Sequence, residues 1–400
     1  MKKLIAVLAV LAMVTTVAFA QASVAGTVET RFSVLRGDLS ADEVDLRMGG
    51  LEGAAGAGAI GAAWLQLSGT NPDGTLGGLW RLRNNDTVRE VAWFHRAFVW
   101  WRPVDMFRIW LGIDNDGMFC TSNLAGWAFH QGDNDYMFNH DWGFWRNVFP
   151  GHWDGFGMAL SLMNLVEGQL NINLVLPTGG LTHPQAINER VTAHVSVQEM
   201  LAGFRFHSTF SIPGTGMIQF TYNAPGGRTD ANTTWADATD FGQLGLSFVL
   251  TGLDFGNALV GGAVTIPDEG DDFNLHVGGG VTVPIPGVME LRARVGARIQ
   301  TGEGRDPPRV TGNIMPVMGL GPGSLMFDLG VTMDLAEDFD PELDLGWFVG
   351  PVYRLPLAQG AFSIGLHVRS GVALTGGNQS SIVRNNDVGI HIPMLLRFSF

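Results

Sequence analysis

The sequence predicts an all-β fold: a transmembrane, antiparallel, up-and-down β-barrel of about 18 strands, with about 16 as the alternative count. Three observations point there. Many segments alternate strictly between apolar and polar residues. The connections between them alternate between tight and long. The chain is 46% apolar, yet it has no run of such residues long enough for a membrane helix.

Alternation is clearest in the last strand. From Gly389 to Phe400 the even positions are Ile390, Ile392, Met394, Leu396, Phe398 and Phe400, and the odd ones Gly389, His391, Pro393, Leu395, Arg397 and Ser399. Successive side chains of a strand point to opposite faces, so one face here is wholly apolar and the other carries His, Arg and Ser. Phe362, Ile364, Leu366 and Val368 alternate in the same way with Ser363, Gly365, His367 and Arg369, and Met289 to Ile299 with Glu290, Arg292, Arg294, Arg298 and Gln300. Further segments are Leu325 to Leu335 against Asp328, Thr332 and Asp334, Phe273 to Val283 against Asn274, His276 and Thr282, and Leu170 to Leu176 against Asn171 and Asn173. A soluble sandwich also alternates, but so many strands with one apolar and one charged face fit a barrel that is greasy outside and wet inside. Lipid admits only helices and closed barrels, because both satisfy every backbone N–H and C=O internally.

Tight connections are predicted at Arg102 to Asp105, Leu165 to Gly168, Pro213 to Gly216, Leu253 to Gly256, Pro284 to Gly287, Gly321 to Gly323 and Pro356 to Gly360, where Pro and Gly preset turn dihedrals. Between them lie longer polar segments: Asn71 to Thr87, Asp114 to Asp154, Pro177 to Arg190, Asn223 to Asp240, Pro267 to Asp272, Gly302 to Pro308, Ala336 to Glu342 and Thr375 to Asn386. Short periplasmic turns and long external loops are the layout of outer-membrane barrels. Aromatics beside turns, such as Trp100 and Trp101 before Pro103 and Tyr353 before Pro356, are read either as an interface belt or as ordinary strand residues.

Lys2 and Lys3, the apolar stretch from Leu4 to Val17 and the small-residue end Ala18-Phe19-Ala20 predict a secretory signal peptide over residues 1–20, with the barrel over 21–400. No Cys stands at the cut, which argues against a lipoprotein anchor. The first strand starts at once, Val24 to Val34 with Glu29 and Arg31 on its polar face, and leaves no room for an N-terminal plug. Gly, 55 of 400 residues, is at about twice its usual share and suits tight turns and close strands. Both Lys fall in the leader, so the mature chain has 24 − 2 = 22 Arg against 38 acids, a net charge of 22 − 38 = −16. That balance excludes nucleic acid as a partner, since phosphate binding needs basic surface. The lone Cys120 excludes an internal disulfide.

The alternating strand that ends in Phe400 resembles the C-terminal signature of bacterial outer-membrane barrels. This implies recognition by the barrel-assembly machinery and residence in outer-membrane lipid. The longest loop, Asp114 to Asp154, is the third external one. With it the layout resembles the porins, outer-membrane diffusion channels whose third loop folds into the barrel. Here the loop reads Asp114-Asn115-Asp116-Gly117 and Gly132-Asp133-Asn134-Asp135 in place of the porins' Pro-Glu-Phe-Gly-Gly. The resemblance implies passive passage of small polar solutes or ions, no cofactor, no enzymatic activity and a homotrimer. It makes Asp114, Asp116, Asp133 and Asp135 the constriction-loop candidates.

A barrel of about 8 strands is filled by its own side chains, whereas about 16 to 18 leave an aqueous channel. The predicted pore-lining residues are Arg205, Arg292, Arg294, Arg298, Arg369 and Arg397, with Glu290 and Asp328 among the acids. These arginines either set a field across the pore or pair with nearby acids to brace the wall. External segments such as Asp268 to Asp272 and Glu337 to Glu342 are acidic and oppose the arginines electrostatically, which leaves ion selectivity open. Trp127, Phe129, Phe138, Trp142, Phe144, Trp145, Phe149 and Trp153 make the long loop too apolar to stand in water. Shelter against the lumen or mouth is one reading. A surface adhesin or structural barrel that binds a host or envelope partner through this loop is the alternative function.

Site chemistry yields no catalytic or metal assignment. His130, His140 and His152 share the loop with Asp133, Asp135, Asp141 and Asp154 but match no ligand spacing, and Asp114 to Gly117 opens like a calcium loop without the later ligands. His207 and Ser208 are adjacent on a strand and so face opposite sides.

Overall fold

The computed structural model describes residues 21–38, 45–51, 61–84, 91–114, 155–179, 201, 204–224, 242–265, 273–302, 307–338, 340, 344–370 and 388–399. The expected leader at 1–20, Cys120, the loop candidates Asp116, Asp133 and Asp135, the aromatics and histidines of the expected long loop, and Phe400 lie outside the described residues. The segments that alternate in sequence are strands: β1 (Gln21–Asp38), β2 (Asp45–Leu51), β3 (Gly61–Thr70), β4 (Leu76–Asn84), β5 (Val91–Val104), β6 (Phe107–Asp114), β7 (Gly155–Asn164), β8 (Leu170–Gly179), β9 (Arg205–Ile212), β10 (Gly216–Asn223), β11 (Gln243–Leu253), β12 (Gly256–Thr265), β13 (Asn274–Ile285), β14 (Met289–Gln300), β15 (Arg309–Leu320), β16 (Gly323–Asp334), β17 (Leu345–Leu357), β18 (Gly360–Gly365), β19 (His367–Ser370) and β20 (Val388–Ser399).

From β3 to β18 each strand pairs antiparallel with the next, and β1 closes the ring by pairing with β20 from Thr27↔Ser399 to Asp38↔Gly389. Closure removes the exposed edges that would otherwise leave backbone groups unpaired in lipid. The other edge of β1 is shared: Gln21 to Thr30 pair with β3, and Phe32 to Asp38 with β2, so β2 and β3 together fill one strand position. Between β17 and β20, β18 and β19 likewise form one strand interrupted at Leu366. The wall therefore has 20 − 2 = 18 strand positions. No helix among the described residues is long and apolar enough to cross a membrane. The strands are long enough to do so: β13 to β16 have 12 residues each, and about 9–11 tilted residues suffice.

Tight turns gather on one rim, at 71–75, 105–106, 165–169, 213–215, 254–255, 286–288, 321–322 and 358–359. The first described residue, Gln21, pairs with Thr70 beside the first of these turns, and the Ser399 N–H donates to the Gln359 carbonyl beside the last. The opposite rim carries the longer connections. The segment between β6 and β7 is the third of them, and those two strands hold the fifth and sixth wall positions. One expected loop is corrected. Asn71 to Thr87 contains a strand, β4, and only 71–75 of it forms the turn, held by the Leu76 N–H donating to Asn71 Oδ1 at 2.8 Å. The Gly-Gly pair and the Arg81 and Arg83 charges make this stretch resemble a loop, although its ladder with β3 and β5 is regular over most of its length.

Burial is inverted relative to a soluble protein. His207 (2% exposed), Asp328 (1%) and Arg294 (6%) are buried, whereas Val260 (55%) and Val295 (57%) are exposed. The registers assign these to opposite faces: His207, Asp328 and Arg294 to the inside, Val260 and Val295 to the outside. Two glycines let aromatics lie flat on the wall. A Cβ on Gly330 would overlap the ring of Phe348, and one on Gly323 would stand 2.6 Å from the Tyr353 hydroxyl oxygen. Tyr353 donates to the Leu320 carbonyl at the tight-turn rim (3.2 Å), as an interface-belt ring does. Phe348 is 1% exposed and leans on His367, with centroids 5.6 Å apart, so it has little room to move. Gly330→Ala should therefore cost about 1–3 kcal/mol of stability. Urea unfolding in lipid vesicles would measure this, and an unchanged midpoint would show that the ring relaxes freely.

Candidate functional site

The inner face of the barrel is the candidate site, and its composition changes around the ring. On β14 the positions of Glu290, Arg292, Arg294 and Arg298 share the inward face, because they pair with Pro284, Thr282, Gly280 and His276 on β13. Arg292 Nε donates to Glu290 Oε1 at 2.6 Å. On the next strands Arg309 grips Asp334 through two hydrogen bonds of 2.5 and 2.6 Å, Asn313 Nδ2 donates to Asp328 Oδ1 at 3.2 Å, and Thr311 meets Thr332 at 3.1 Å. The bracing role expected for some arginines is thus seen in Arg292 with Glu290, and Asp328 is engaged by an amide.

From β7 to β11 the wall is mostly neutral and polar, with Arg205 as its charged inward position. His207 bonds Gln219 (2.7 Å) and Asn173 (3.5 Å), and Ser247 Oγ donates to Gln219 Oε1 at 3.4 Å. Ser208 lies on the opposite face of β9 from His207.

The sector from β3 to β6 was not legible as a site. Trp64, Gln66, Arg81, Arg96, Phe98, Trp100, Arg108 and Trp110 occupy inward positions of four neighbouring strands. Arg81 lies 4.5 Å over the Trp64 ring and donates to Gln66 Oε1 at 2.6 and 2.9 Å. Arg96 stands 5.3 Å from the Phe98 ring centre, and Arg108 stands 4.7 Å from that of Trp100 and 5.0 Å from that of Trp110. Trp100 therefore faces inward, a correction to its belt reading, while its neighbour Trp101 is 52% exposed on the outside. These residues hid because β5 and β6 are apolar on both faces: Phe98-Val99-Trp100-Trp101 shows no alternation.

Of the other expected residues, Arg205 pairs in register with Val175 and Asn223, and Arg397 with Glu29 and Ala361, all on the inward face. Arg369 and Asp114 hold inward register positions opposite Phe348 and Arg96. Arg81, Arg96, Arg102, Arg108, Arg309 and Arg354 join the inward set, so arginines outnumber the inward carboxylates Glu290, Asp328 and Asp334 among the described side chains. Among the described residues no three His, Cys, Asp or Glu come together to hold a metal.

No protein-family model matches the sequence, and no curated protein matches it. Solved structures do match by fold. The anion-selective porin from Comamonas acidovorans superposes with a TM-score of 0.53 at 14% identity, over 95% of this chain and 100% of that one. Pseudomonas aeruginosa OccK11 (OpdR) does so with a TM-score of 0.51 at 9% identity, over 96% and 97%. The chain has the fold of the porins: a closed, 18-stranded antiparallel β-barrel.

Proposed function

We propose that this protein is an outer-membrane porin through which small polar solutes diffuse passively, and that its channel favours anions. The observation that carries the reading is the inverted wall, apolar outside and cationic inside, closed at a strand number that leaves an aqueous channel. Arginines fixed on a low-dielectric wall raise the local concentration of anions. A porin described as anion-selective shares the fold, which is in keeping with this preference. Residues 1–20 act as the export leader, Phe400 as the assembly signal, and the barrel works as a homotrimer. Planar-bilayer recording of the purified protein tests the core of the reading. The expected result is ohmic single-channel steps, with a zero-current potential in a KCl gradient on the chloride side. An electrically silent barrel removes the channel, and a potential on the potassium side removes the anion preference.

A further inference from the structure

The inner wall carries an apolar island where water-facing polarity is expected. Phe98, Ala159 and Val175 are buried in it, with Leu79, Trp100 and Trp110 packed against them. Phe98 meets Trp110 edge-on at 5.3 Å, Trp100 and Trp110 lie 6.4 Å apart, and Trp110 Nε1 donates to Ser161 Oγ at 3.0 Å. A glycine on the neighbouring strand makes room for one of these rings. A Cβ on Gly77 would overlap the Trp100 indole, so β4 has no side chain at that point.

Arginines border the island, and Arg108 is set apart by its surroundings. Arg292 and Arg309 have carboxylates at 2.6 and 2.5 Å, whereas Arg108 makes no ion pair among the described residues and stands instead between two indoles. A guanidinium stacked on an aromatic face keeps its N–H donors in its own plane, directed outward from the ring edge, in the fork that matches a carboxylate. Rings beside it take the apolar body of a ligand. The cation and the apolar surface are complementary to one kind of occupant, a planar ring bearing a negative group.

We infer that the Trp100–Arg108–Trp110 cluster on β5 and β6 is a binding site for aryl carboxylates within the channel. The guanidinium takes the carboxylate, and the half-buried indoles, backed by the buried Phe98, take the ring. This rests on the channel reading above, and the test separates the two. Benzoate, acetate and benzyl alcohol are added during single-channel recording in KCl, so that ring with charge, charge alone and ring alone are compared. Benzoate is expected to interrupt the chloride current in resolved events, and the other two are not. Trp100→Leu and Arg108→Gln should each raise the half-blocking benzoate concentration by about tenfold, with block scored against each variant's own open-channel current. Arg108→Gln keeps the rings and so remains informative if Trp100→Leu fails to fold, which heat-modifiable gel mobility would reveal. Calorimetric titration of the barrel in detergent micelles reads binding without any current.

A conducting channel on which benzoate acts no differently from acetate overturns the site and leaves the porin reading intact. A silent barrel overturns the porin reading, and the micelle titration then decides the site alone. Benzoate heat that is lost in Arg108→Gln supports it, and no benzoate heat sinks it. Unchanged benzoate block in both variants, with only thermal stability lowered, would mean that the cluster braces the wall.

Discussion

Val295→Arg is expected to destabilise the barrel by about 2–4 kcal/mol, the cost of a cation near the bilayer midplane on a lipid-facing strand position. Val295 sits in the middle of β14, is 57% exposed, and pairs with Gly279 and Gly312 on its two neighbours. Phe248, Val260, Ile314, Leu329 and Val331 surround this part of the outer face, so a guanidinium placed there stands among apolar side chains. Leu320→Arg supplies the comparison. It is equally exposed (52%) but stands at the tight-turn rim, where the cost falls to about 0–1 kcal/mol because the charge reaches the headgroups. Urea unfolding in phospholipid vesicles measures both. Equal losses for the two variants would contradict the assignment of this face to the hydrocarbon, since a soluble barrel has no depth along its surface.

The inversion behind that prediction was legible in sequence where a strand has one uniform face. In β13, β14, β16 and β20 the inward positions are polar or glycine at most places and the outward ones apolar, so period two names both faces without a structure. Arg292, Arg294 and Arg298 share one face of β14 in the same way. Legibility failed for two physical reasons. In β4, glycines and arginines on a short strand imitate a loop, which left Arg81 without a face. In β5 and β6 the inward positions carry Phe98, Trp100 and Trp110, so both faces are apolar and the period disappears. The one signal available there was local. Arg96 shares even positions of β5 with Phe98 and Trp100, and Arg108 those of β6 with Trp110, a spacing that sets each group on one face of its own strand. Strand number came out correctly even though Asn71 to Thr87 was read as a loop, because tight and long connections alternate and fix the direction of each strand.

Replacing Arg292, Arg294 and Arg298 together with Ala should shift the zero-current potential towards the cation side by several-fold in permeability ratio. The wall loses three positive charges, and Glu290, whose 2.6 Å partner is Arg292, is left as an unneutralised acid on the same face. The wall's net charge therefore falls by three, one of the three expressed as Glu290 losing its neutralising partner. Removing Arg309 and Asp334 together deletes a pair that is already neutral as a unit, joined by two hydrogen bonds, so it should leave the potential almost where it was. The contrast controls for altered pore width, because both variants shorten the side chains on neighbouring strands. Salt provides a second axis. Screening lengths shrink from about 10 Å at 0.1 M to about 3 Å at 1 M, so the difference between wild type and the triple variant should narrow as KCl rises. A triple variant with an unchanged potential at low salt would make these arginines part of the wall's internal bonding and place the selective field elsewhere in the channel.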